Sequence, residues 1–433
     1  MAFIEPDGSL RNGREIFNKF CSKKDLFIGN INIFEEHTKK VIEKCKLVKN
    51  IDERIYNLYV PSGDMKYPAF WVRDALYITE SGFIKSEEIK KMVYLISLTQ
   101  NEKTRKLNYG LIVPAWSIPD HISFDGKPVF FPGTHNTGND QGNGLCGFYP
   151  PHDNQYFFIE LAYKYFTLTN DVDFLKDKIK DIMLIDRLKL AFESYNIDKH
   201  TQLCYSDKNK YTVDWGFCDS VCKSGLLFFP SLLRYRTALM MREIVEKSGD
   251  KEKAKYYAKI SKLIKDNLIK TFWDGSGWFL SATEICKQHD VWGTIFAIYN
   301  DILDKNKLKI SLSTILKGYL EKKCVDKDGY IRPIPNDEDY SKTTSWEKTS
   351  SKYQEYQNGG YWAFATGWYI HSLSKIDIKY AKQLTAKFLN HVIANRKYGA
   401  PFEWKNDNIN KFSGCYYGAS STLPYIIIKE IEK

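Results

Sequence analysis

Apolar residues recur along most of the chain at the spacing of an amphipathic α-helix. Ala254, Tyr257, Ile260, Ile264 and Leu268 form one such apolar stripe, with lysines at the positions between them. The same periodicity predicts twelve helices and an all-α fold. The predicted helices cover residues 31–47, 74–83, 86–101, 153–168, 171–197, 229–248, 250–272, 289–303, 306–322, 360–374, 377–396 and 417–431.

Residues 51–72 depart from the helical pattern. Two segments with high β-propensity, 54–60 and 67–72, flank a Pro-Ser-Gly-Asp turn at 61–64. This arrangement predicts a short β-hairpin before the second helix. We therefore expect small β-hairpin elements inside the loops of a helical fold.

The connections between the predicted helices alternate in length. Five of them contain only a few residues, whereas six are long, at 48–73, 102–152, 198–228, 273–288, 323–359 and 397–416. A short link makes its two helices antiparallel neighbours, so all the long links emerge at one end. This predicts an (α/α)6 toroid barrel of six helical hairpins, rather than an ordinary helical array with surface loops. We expect one domain, 1–433, with residues 1–30 as an N-terminal extension packed on the barrel.

Composition and charge exclude several classes of function. The net charge of +10 is spread over helix faces, and no nucleic-acid-binding signature is present, so we expect no nucleic-acid partner. The longest apolar stretch, 225–233, is half a membrane span, and Glu5 and Asp7 stand where a signal peptide would be apolar. Nine irregularly spaced cysteines argue against a disulfide framework and favour a reducing, cytoplasmic compartment. The oligomeric state is not indicated.

The long links are rich in aromatic rings. Phe, Trp and Tyr make up 15% of the chain, and five of the six long junctions carry a tryptophan. These are Trp71, Trp215, Trp292, Trp362 and Trp404. Loops at one end of a rigid scaffold commonly carry function, and rings beside a few polar groups are typical of small-molecule pockets.

The first long junction places Arg73 and Asp74 just after Trp71, at the start of a helix. Such a pair offers a hydrogen-bond donor and an acceptor beside an aromatic wall, which suits a sugar hydroxyl. The alternative for Asp74 is a favourable charge at the helix N-terminus.

The second junction contains a Gly/Asn-rich stretch at 133–147, followed by His152 and Asp153. The stretch lacks the Walker spacing, so it is weak evidence for phosphate binding. His135 and His152 have no third ligand at metal-binding spacing, which makes loop hydrogen bonding the better interpretation. We predict no metal site and no cofactor.

The third and sixth junctions supply candidate catalytic carboxyl groups. Asp214 and Asp219 flank Trp215, and Glu403 stands between two aromatic residues. A carboxyl group against aromatic rings loses solvation, so its pKa rises and it can act as a general acid near neutral pH. The alternative is that the two aspartates are ordinary loop residues, one capping a turn. The setting of Glu403 suits a base that activates water.

The remaining junctions supply polar groups and rings. His289 and Asp290 precede Trp292 at a helix start, where the aspartate is also a plausible cap. The stretch YQNGGYW adds Gln357, Asn358, Tyr361 and Trp362. Two carboxylates on opposite loops of such a pocket are what glycoside hydrolysis requires. A serine nucleophile is not supported, because no Gly-x-Ser-x-Gly elbow is present.

These motifs resemble, in order, those of the six-hairpin glycosidases, which include glucoamylases, trehalases, processing α-glucosidases, α-L-rhamnosidases and bacterial α-1,6-mannosidases. FWVRDA at 70–75 is similar to the W-x-R-D motif that binds the terminal sugar. Residues 216–233 resemble the loop with the general acid, and YQNGGYW at 356–362 resembles a motif of related α-glucosidases. PFEW at 401–404 falls where the family has its base. The resemblance covers about residues 71–420.

The chain also departs from these relatives. Glucoamylases have a Trp-Glu-Glu acid motif, whereas only aspartates stand at this place in the chain. The acid is therefore Asp219 or Asp214, and the spacing of Asp219 to the next helix is closer to that of the family. The Arg-rich closing signature of the mannosidases is absent, so the identity of the sugar stays open.

The sequence and its resemblance together predict an exo-acting, inverting glycoside hydrolase that releases a terminal α-linked glucose or related hexose. Asp219 or Asp214 would be the acid and Glu403 the base, with their carboxyl groups roughly 6.5–9.5 Å apart. The predicted substrate-binding residues are Trp71, Arg73, Asp74, His152, Asp153, Trp215, His289, Asp290, Trp292, Gln357, Asn358, Tyr361, Trp362 and Trp404. The alternatives are a disaccharide phosphorylase, a sugar epimerase with paired histidines, or a non-catalytic carbohydrate-binding protein.

Overall fold

Twelve α-helices form the body of the protein, in a computed structural model that describes residues 2–4, 10–12, 23–51, 53–135, 137–194 and 196–432. The helices are α1 (Lys23–Cys45), α2 (Val72–Glu80), α3 (Ser86–Thr99), α4 (Asn154–Thr169), α5 (Leu184–Phe192), α6 (Phe228–Lys247), α7 (Lys251–Phe272), α8 (Val291–Tyr299), α9 (Lys305–Leu320), α10 (Thr366–Ser374), α11 (Ile378–Asn395) and α12 (Gly418–Glu432). The predicted all-α class and helix number are confirmed for the described residues.

The even-numbered helices form a closed inner ring. Each packs against the next in the order α2, α4, α6, α8, α10 and α12, and α12 packs back against α2. The odd-numbered helices lie outside this ring, each in contact with at least one inner helix, and α1 completes the sixth hairpin with α12. The fold is therefore the (α/α)6 barrel that the alternating link lengths predict.

Burial separates the two rings. In the inner helix α8 every residue from 291 to 298 is buried, and in α2 the same holds from 72 to 79. The outer helix α7 buries one face, which includes the predicted stripe Ala254, Tyr257, Ile260, Ile264 and Leu268. A helix that is buried all round belongs in a core, whereas a single apolar stripe marks a surface helix. One large hydrophobic core results, shared by both rings.

Short antiparallel strands lie in the connections. Two-stranded pairs are β1 (Ala2–Ile4) with β2 (Leu10–Asn12), β3 (Lys46–Ile51) with β4 (Arg54–Tyr59), β6 (Arg105–Lys106) with β7 (Ile112–Val113), β10 (Lys178–Ile179) with β11 (Ile182–Met183), and β12 (Tyr205–Ser206) with β13 (Gly225–Leu226). Three-stranded sheets have the orders β5 (Phe70–Trp71), β8 (His121–Ile122), β9 (Pro128–Val129) and β14 (Tyr361–Trp362), β15 (Trp404–Asn406), β16 (Lys411–Ser413). In these two sheets Trp71 is opposite His121 and Trp362 is opposite Trp404.

The predicted helix at 171–197 is wrong in its first half. Helix α4 ends at Thr169, and the capping residue Asn170 has a left-handed backbone with φ of 53°. The β10–β11 hairpin follows, and its two turn residues, Lys180 and Asp181, both have positive φ. Consecutive positive φ values are typical of tight hairpin turns, and they cannot continue a helix. Within the described part of 171–197, Asp173–Lys176 form a short 3-10 turn and Leu184–Phe192 form the only α-helix.

The predicted hairpin and three helix boundaries also need correction. The strand that contains residues 54–59 pairs with the preceding segment 46–51, not with 67–72. That pairing ends α1 at Cys45, two residues before its predicted end, and α1 starts at Lys23 rather than 31. Helix α10 starts at Thr366 rather than 360, because Tyr361–Trp362 pairs with β15. Most of the predicted 1–30 extension, namely residues 1, 5–9 and 13–22, lies outside the described residues.

The first and last long links meet at the loop end of the barrel. The Gly63 amide donates to the Tyr416 carbonyl at 3.2 Å, and the Gly418 amide donates to the Pro61 carbonyl at 2.8 Å. These contacts bring residues 60–67 beside residues 413–418 and so close the rim of the barrel. Within the described part of the chain, no helix has the length and apolar character needed to cross a membrane.

Candidate active site

A pocket opens at the loop end of the barrel, against the first turn of α2 and the residue that precedes α12. Its lining combines carboxylates, phenols and aromatic faces: Pro61, Tyr67, Trp71, Arg73, Asp74, Gly216, Phe217, Asp219, Tyr356, Glu403 and Tyr417. Five of these residues, Trp71, Arg73, Asp74, Asp219 and Glu403, are among those that the sequence indicates. The pocket draws on loops that are far apart in the chain.

The buried guanidinium of Arg73 organises one wall of the pocket. Nη2 lies 3.4 Å from Asp74 Oδ2, and Nη1 lies 3.4 Å from Asp153 Oδ2 and 3.7 Å from Asp120 Oδ1. Burial raises the pKa of Asp74 to about 6 and that of Asp153 to about 7, with Arg73 opposing both shifts. A Cβ atom at Gly216 would lie 1.4 Å from Nη1, so this position requires glycine. One cation is thus shared among three carboxyl groups.

Glu403 precedes strand β15, and its side chain is almost completely buried. The Tyr67 hydroxyl donates to its two carboxylate oxygens at 2.9 and 2.8 Å, and Lys66 Nζ lies 3.3 Å from Oε2. Gly414 packs against it so closely that a Cβ there would lie 2.5 Å from the Glu403 Cβ. Burial raises the pKa of Glu403 to about 7, although Lys66 and Tyr67 lower it. The carboxyl group is therefore able to exchange a proton near neutral pH.

Asp219 follows a short 3-10 turn, Gly216–Cys218, in the link before α6. Its side chain is partly exposed to the pocket, and Gln357 Nε2 donates to Oδ1 at 2.8 Å. Gln357 is itself fixed, because its Oε1 accepts from the Ser220 amide at 2.7 Å and from the Ser220 hydroxyl at 2.6 Å. Burial raises the pKa of Asp219 to about 6. Gln357 thus contacts the pocket through Asp219 rather than from the lining.

Asp214 is placed differently from Asp219. It is buried outside the pocket lining, and its Oδ2 accepts from Lys223 Nζ at 2.6 Å. Lys223 is also buried and lies over the Trp346 ring at 4.9 Å. An enclosed ion pair of this kind ties the two ends of the 214–223 segment together, and it leaves Asp214 without access to a ligand in the pocket.

Four more predicted residues lie behind the pocket. His152 Nε2 is 3.0 Å from the Tyr205 carbonyl oxygen, and burial lowers its pKa to about 4. Asp153 accepts from the Gly216 amide at 2.7 Å and so supports the Arg73 wall. Trp215 stacks on Phe229 with ring centroids 3.8 Å apart and belongs to the core. The Trp292 indole donates to the Ile331 carbonyl at 3.2 Å, also in the core.

His289 and Asp290 are directed to other partners. Asp290 caps α8, accepting from the Gly293 amide at 2.7 Å, and burial raises its pKa to about 6. His289 lies in a separate surface pocket, with its ring nitrogens 2.6 Å from Glu338 and 2.7 Å from Asp274. The structure therefore does not bring His289 to the candidate site.

The other residues of the predicted set frame the pocket rather than line it. Asn358 accepts from the Ser345 amide at 2.7 Å and so holds its own loop. Trp362 donates to the Tyr356 carbonyl at 3.0 Å, and Trp404 lies 6.4 Å from the Tyr356 ring, so both support this lining residue. Tyr361 is half-buried in strand β14.

Several lining residues are absent from the predicted set. Tyr67, Tyr356 and Tyr417 each lie within or beside a motif that drew attention in the sequence, so a search for phenols next to candidate carboxylates would have found them. Lys66 and Asp120 carry no such signal. They reach the site only because the barrel brings the first two long links to its loop end.

Three carboxylates with the spacing of metal ligands lie elsewhere on the rim. Asp326, Asp328 and Asp407 each place a carboxylate oxygen within 4.8 Å of the others. Lys405 Nζ occupies their centre, at 3.2 Å from Asp326, 2.5 Å from Asp328 and 2.8 Å from Asp407. Its ammonium group already supplies the positive charge that these carboxylates share. Among the described residues this is the sole grouping with metal-ligand spacing, and a lysine fills it.

Comparison with known proteins identifies the fold. No family model and no curated protein sequence matches this chain. Solved structures that match include a rhamnosidase from Klebsiella oxytoca with rhamnose bound, with a TM-score of 0.58, 11% identity and 94% of this chain covered. A glucoamylase from Saccharomycopsis fibuligera has a TM-score of 0.58, 11% identity and 93% coverage of this chain. A GH78 family rhamnosidase of Bacillus sp. GL1 has a TM-score of 0.54, 11% identity and 93% coverage.

These neighbours are (α/α)6-barrel glycosidases, so the predicted resemblance to that superfamily is confirmed at the level of the fold. The chain spans 64% and 35% of the two rhamnosidases and 95% of the glucoamylase. One fold supports many activities, so the function has to be argued from the pocket.

Proposed function

We propose that this chain is an exo-acting glycoside hydrolase that releases one terminal sugar with inversion of configuration. The observation that carries the proposal is the pairing of Asp219 and Glu403, two carboxyl groups on different long links that line one pocket. Burial raises the pKa of each toward neutrality. The glycosidase neighbours, which share the fold, support the same class of reaction.

In the proposed reaction, Asp219 donates a proton to the glycosidic oxygen as the bond from that oxygen to the anomeric carbon breaks. Glu403 accepts a proton from a water molecule that attacks the anomeric carbon from the opposite face. Each carboxyl group has partners that stabilise its ionised form: Tyr67 and Lys66 present hydrogens to Glu403, and Asp219 accepts from the Gln357 amide, with Arg73 acting on it as a nearby positive charge. The division of roles is the one that the resemblance to the six-hairpin glycosidases implies.

The pocket walls have the chemistry for a sugar. Arg73 and Asp74 supply a donor and an acceptor, and Trp71 supplies an aromatic face. The indole nitrogen of Trp71, a lining residue, is buried without a hydrogen-bond partner among the described residues. Buried polar atoms are normally paired, so an atom left open at a pocket wall indicates a partner that arrives with a ligand. A polyhydroxylated molecule supplies such partners.

We propose an α-linked glucose or a related neutral hexose as the released sugar, with Trp71, Arg73 and Asp74 in direct contact. Four of the other predicted binding residues support the lining without contacting the sugar: Gln357 and Asp153 hold the contacting groups, and Trp362 and Trp404 support Tyr356. We propose Asp219 over Asp214 as the acid, because the Lys223 ion pair encloses Asp214.

The alternatives fit the pocket less well. A phosphorylase needs no catalytic base, whereas the pocket is lined by the buried carboxyl group of Glu403. An epimerase with two histidines finds none among the described lining residues, and His289 lies in another pocket. A purely binding protein gains nothing from two carboxyl groups whose pKa values burial shifts toward neutrality.

The first experiment measures sugar release from a panel of α-linked disaccharides and aryl glycosides, with and without inorganic phosphate. NMR of the product within the first minutes identifies the anomer. We expect release that is independent of phosphate and a product of inverted configuration. Dependence on phosphate would establish the phosphorylase instead, and no release from any member would leave only a binding role.

A second experiment separates the two carboxyl roles. A glycosyl fluoride of the released sugar needs no protonation of its leaving group, so Asp219→Asn should hydrolyse it at close to the wild-type rate. Glu403→Gln should lose activity on the fluoride and on the natural glycoside alike. The reverse pattern would exchange the two assignments.

A further inference from the structure

Lys66 is an unexpected neighbour of the buried carboxylate Glu403. Its Nζ lies 3.3 Å from Oε2 and also donates to the Ser413 hydroxyl. The Lys66 side chain is 38% exposed, whereas that of Glu403 is 2% exposed. The lysine therefore reaches inward from the rim to a carboxylate that has almost no contact with solvent.

Two separate segments hold this ammonium group in place. Lys66 lies in the link before α2, where the adjacent Tyr67 donates to both oxygens of the same carboxylate. Ser413 ends strand β16, and its carbonyl oxygen accepts from the Glu403 amide at 3.0 Å. The residue that anchors the lysine is thus hydrogen-bonded to the backbone of the glutamate itself. A flexible lysine that is held at two points acts as a fixed charge.

The other groups that face Glu403 do not replace this charge. Asp74 on α2 raises its pKa, and Asp219 is a further carboxylate in the same pocket. Tyr67, Tyr356 and Tyr417 are neutral phenols whose own pKa values lie above their ordinary range because they are buried. Arg73, the cation of the pocket lining, is engaged by Asp74 and Asp153.

We propose that Lys66 is a positioning residue for the hydrolysis, whose ammonium group keeps Glu403 ionised and aimed so that it can accept a proton from water. This inference rests on the proposed function and assigns a role that the carboxylates alone do not supply. A buried carboxylate without a partner takes up a proton instead of remaining charged. Tyr67 donates hydrogen bonds but no charge, so the ionised state depends on Lys66.

The test uses an Asp219→Asn background and a glycosyl fluoride, so that Glu403 is the one proposed catalytic carboxyl group left to titrate. Activity should then rise along a single limb as the pH increases through the pKa of Glu403. Adding Lys66→Met should move this limb to higher pH by about one unit, because an opposite charge at this distance shifts a carboxyl pKa by about one unit or more. At pH values below the limb, kcat/KM should therefore fall roughly tenfold. At pH values above the limb, the kcat of the double variant should stay within about twofold of that of Asp219→Asn.

Two further variants make the test specific. Lys66→Arg keeps the charge and should restore most of the original limb. Lys411→Met removes another exposed lysine, in strand β16, one that pairs with Glu355 at 2.5 Å, and should leave the limb unchanged. A Lys66→Met effect confined to KM, with the limb unmoved, would show a substrate contact and overturn the proposal.

A measurement without catalysis separates this inference from the proposed function. In protein labelled with 13C at glutamate carboxyl groups, the Glu403 signal is identified by its loss in Glu403→Gln. Its titration should move to higher pH in Lys66→Met, even if no sugar of the panel is released. An unchanged titration in an enzyme that hydrolyses its substrate would overturn the role of Lys66 and leave the hydrolase proposal standing.

Discussion

Two clusters of carboxylates on the loop end of the barrel are each built around one cation. In the pocket, Asp74, Asp120 and Asp153 surround Arg73, and at the rim Asp326, Asp328 and Asp407 surround Lys405. Both cations are nearly buried. The two clusters nevertheless differ in what their carboxyl groups do with protons.

At the rim, the hydrogen bonds to the carboxylates outweigh burial for two of the three groups. Lys405 and His391 lower the pKa of Asp328 far below its ordinary value, and Lys405 and Lys327 lower that of Asp407. Only Asp326, the most enclosed of the three, has a raised pKa. Asp328 and Asp407 therefore stay ionised at ordinary pH, and their ion pairs with Lys405 hold the loops together.

In the pocket, burial is the larger effect. The pKa is raised to about 6 for Asp74 and Asp219 and to about 7 for Asp153 and Glu403. Too few donors reach these carboxyl groups to compensate for their lost hydration. The comparison shows that several carboxyl groups around one cation form a structural ion cluster where hydrogen-bond donors are plentiful, and a proton-exchanging site where such donors are scarce.

The largest expected difference between the clusters is in activity. Asp219→Asn and Glu403→Gln should each lower kcat/KM on the natural glycoside by about 10²–10⁴-fold, the usual contribution of a general acid or base. Asp407→Asn, the matched change at the rim, should stay within about twofold. Steady-state kinetics and circular dichroism check both, and a near-normal Glu403→Gln enzyme would remove the assigned base.

The rim cluster should dominate stability. Lys405→Met leaves three carboxylates without their central cation and should lower the free energy of unfolding by about 3 kcal/mol, the low end for a broken buried pair, because Asp407 is partly exposed and screened. Denaturant titration measures the loss. Activity per folded molecule should remain near that of the wild type. If stability is unchanged, the cluster does not hold the loops together.

The pH dependence of catalysis should reflect the pocket alone. Asp219 has to be protonated and Glu403 ionised, and both titrate between about pH 6 and pH 7. A bell-shaped profile with its maximum in this interval is expected, falling about tenfold per pH unit on either side. Its two apparent pKa values belong to the coupled pair. A flat profile from pH 5 to 8 would contradict the assignment.

The smallest expected effect is in the pH dependence of stability, where the clusters have opposite signs. The pKa of Glu403 is raised from 4.5 to about 7 in the folded state, so its charging costs stability as the pH rises through this window. Glu403→Gln should therefore be more stable than the wild type by about 1 kcal/mol or more at pH 8, with no gain at pH 4. The pKa of Asp407 is lowered in the folded state, so the stability that its ionised form contributes is lost as the pH falls below the ordinary pKa of an aspartate.

The barrel could be predicted from the sequence because its information is local. Helical periodicity and the alternation of link lengths need no knowledge of distant contacts, and they predict the six helical hairpins. The error at 171–197 has a local cause of another kind. Lysine and aspartate do not by themselves require positive φ. Lys180 and Asp181 nevertheless adopt it, and the tight turn that they form replaces the predicted helix with a hairpin.

The pocket could be predicted only in part. Trp71, Arg73, Asp74, Asp219 and Glu403 lie beside aromatic residues within short motifs, and all of them line the cavity. His289 has an equally promising local setting but lies on the outside, because Glu338 and Asp274 bind it there. Lys66 could not be found, since its contact with Glu403 joins residues 337 positions apart.

That separation has a consequence for how the protein is made. During synthesis the helical hairpins can form one after another, since each is a local unit, whereas the rim contact between residues 60–67 and 413–418 has to wait for the last of them. The Tyr67 and Lys66 contacts of Glu403 cannot form before residue 403 has emerged, and the ring is complete only when α12 follows. Sugar release by a nascent or truncated chain would thus show that the ring of inner helices had closed. A circularly permuted chain, with its new ends in a short turn between helices, should release sugar again.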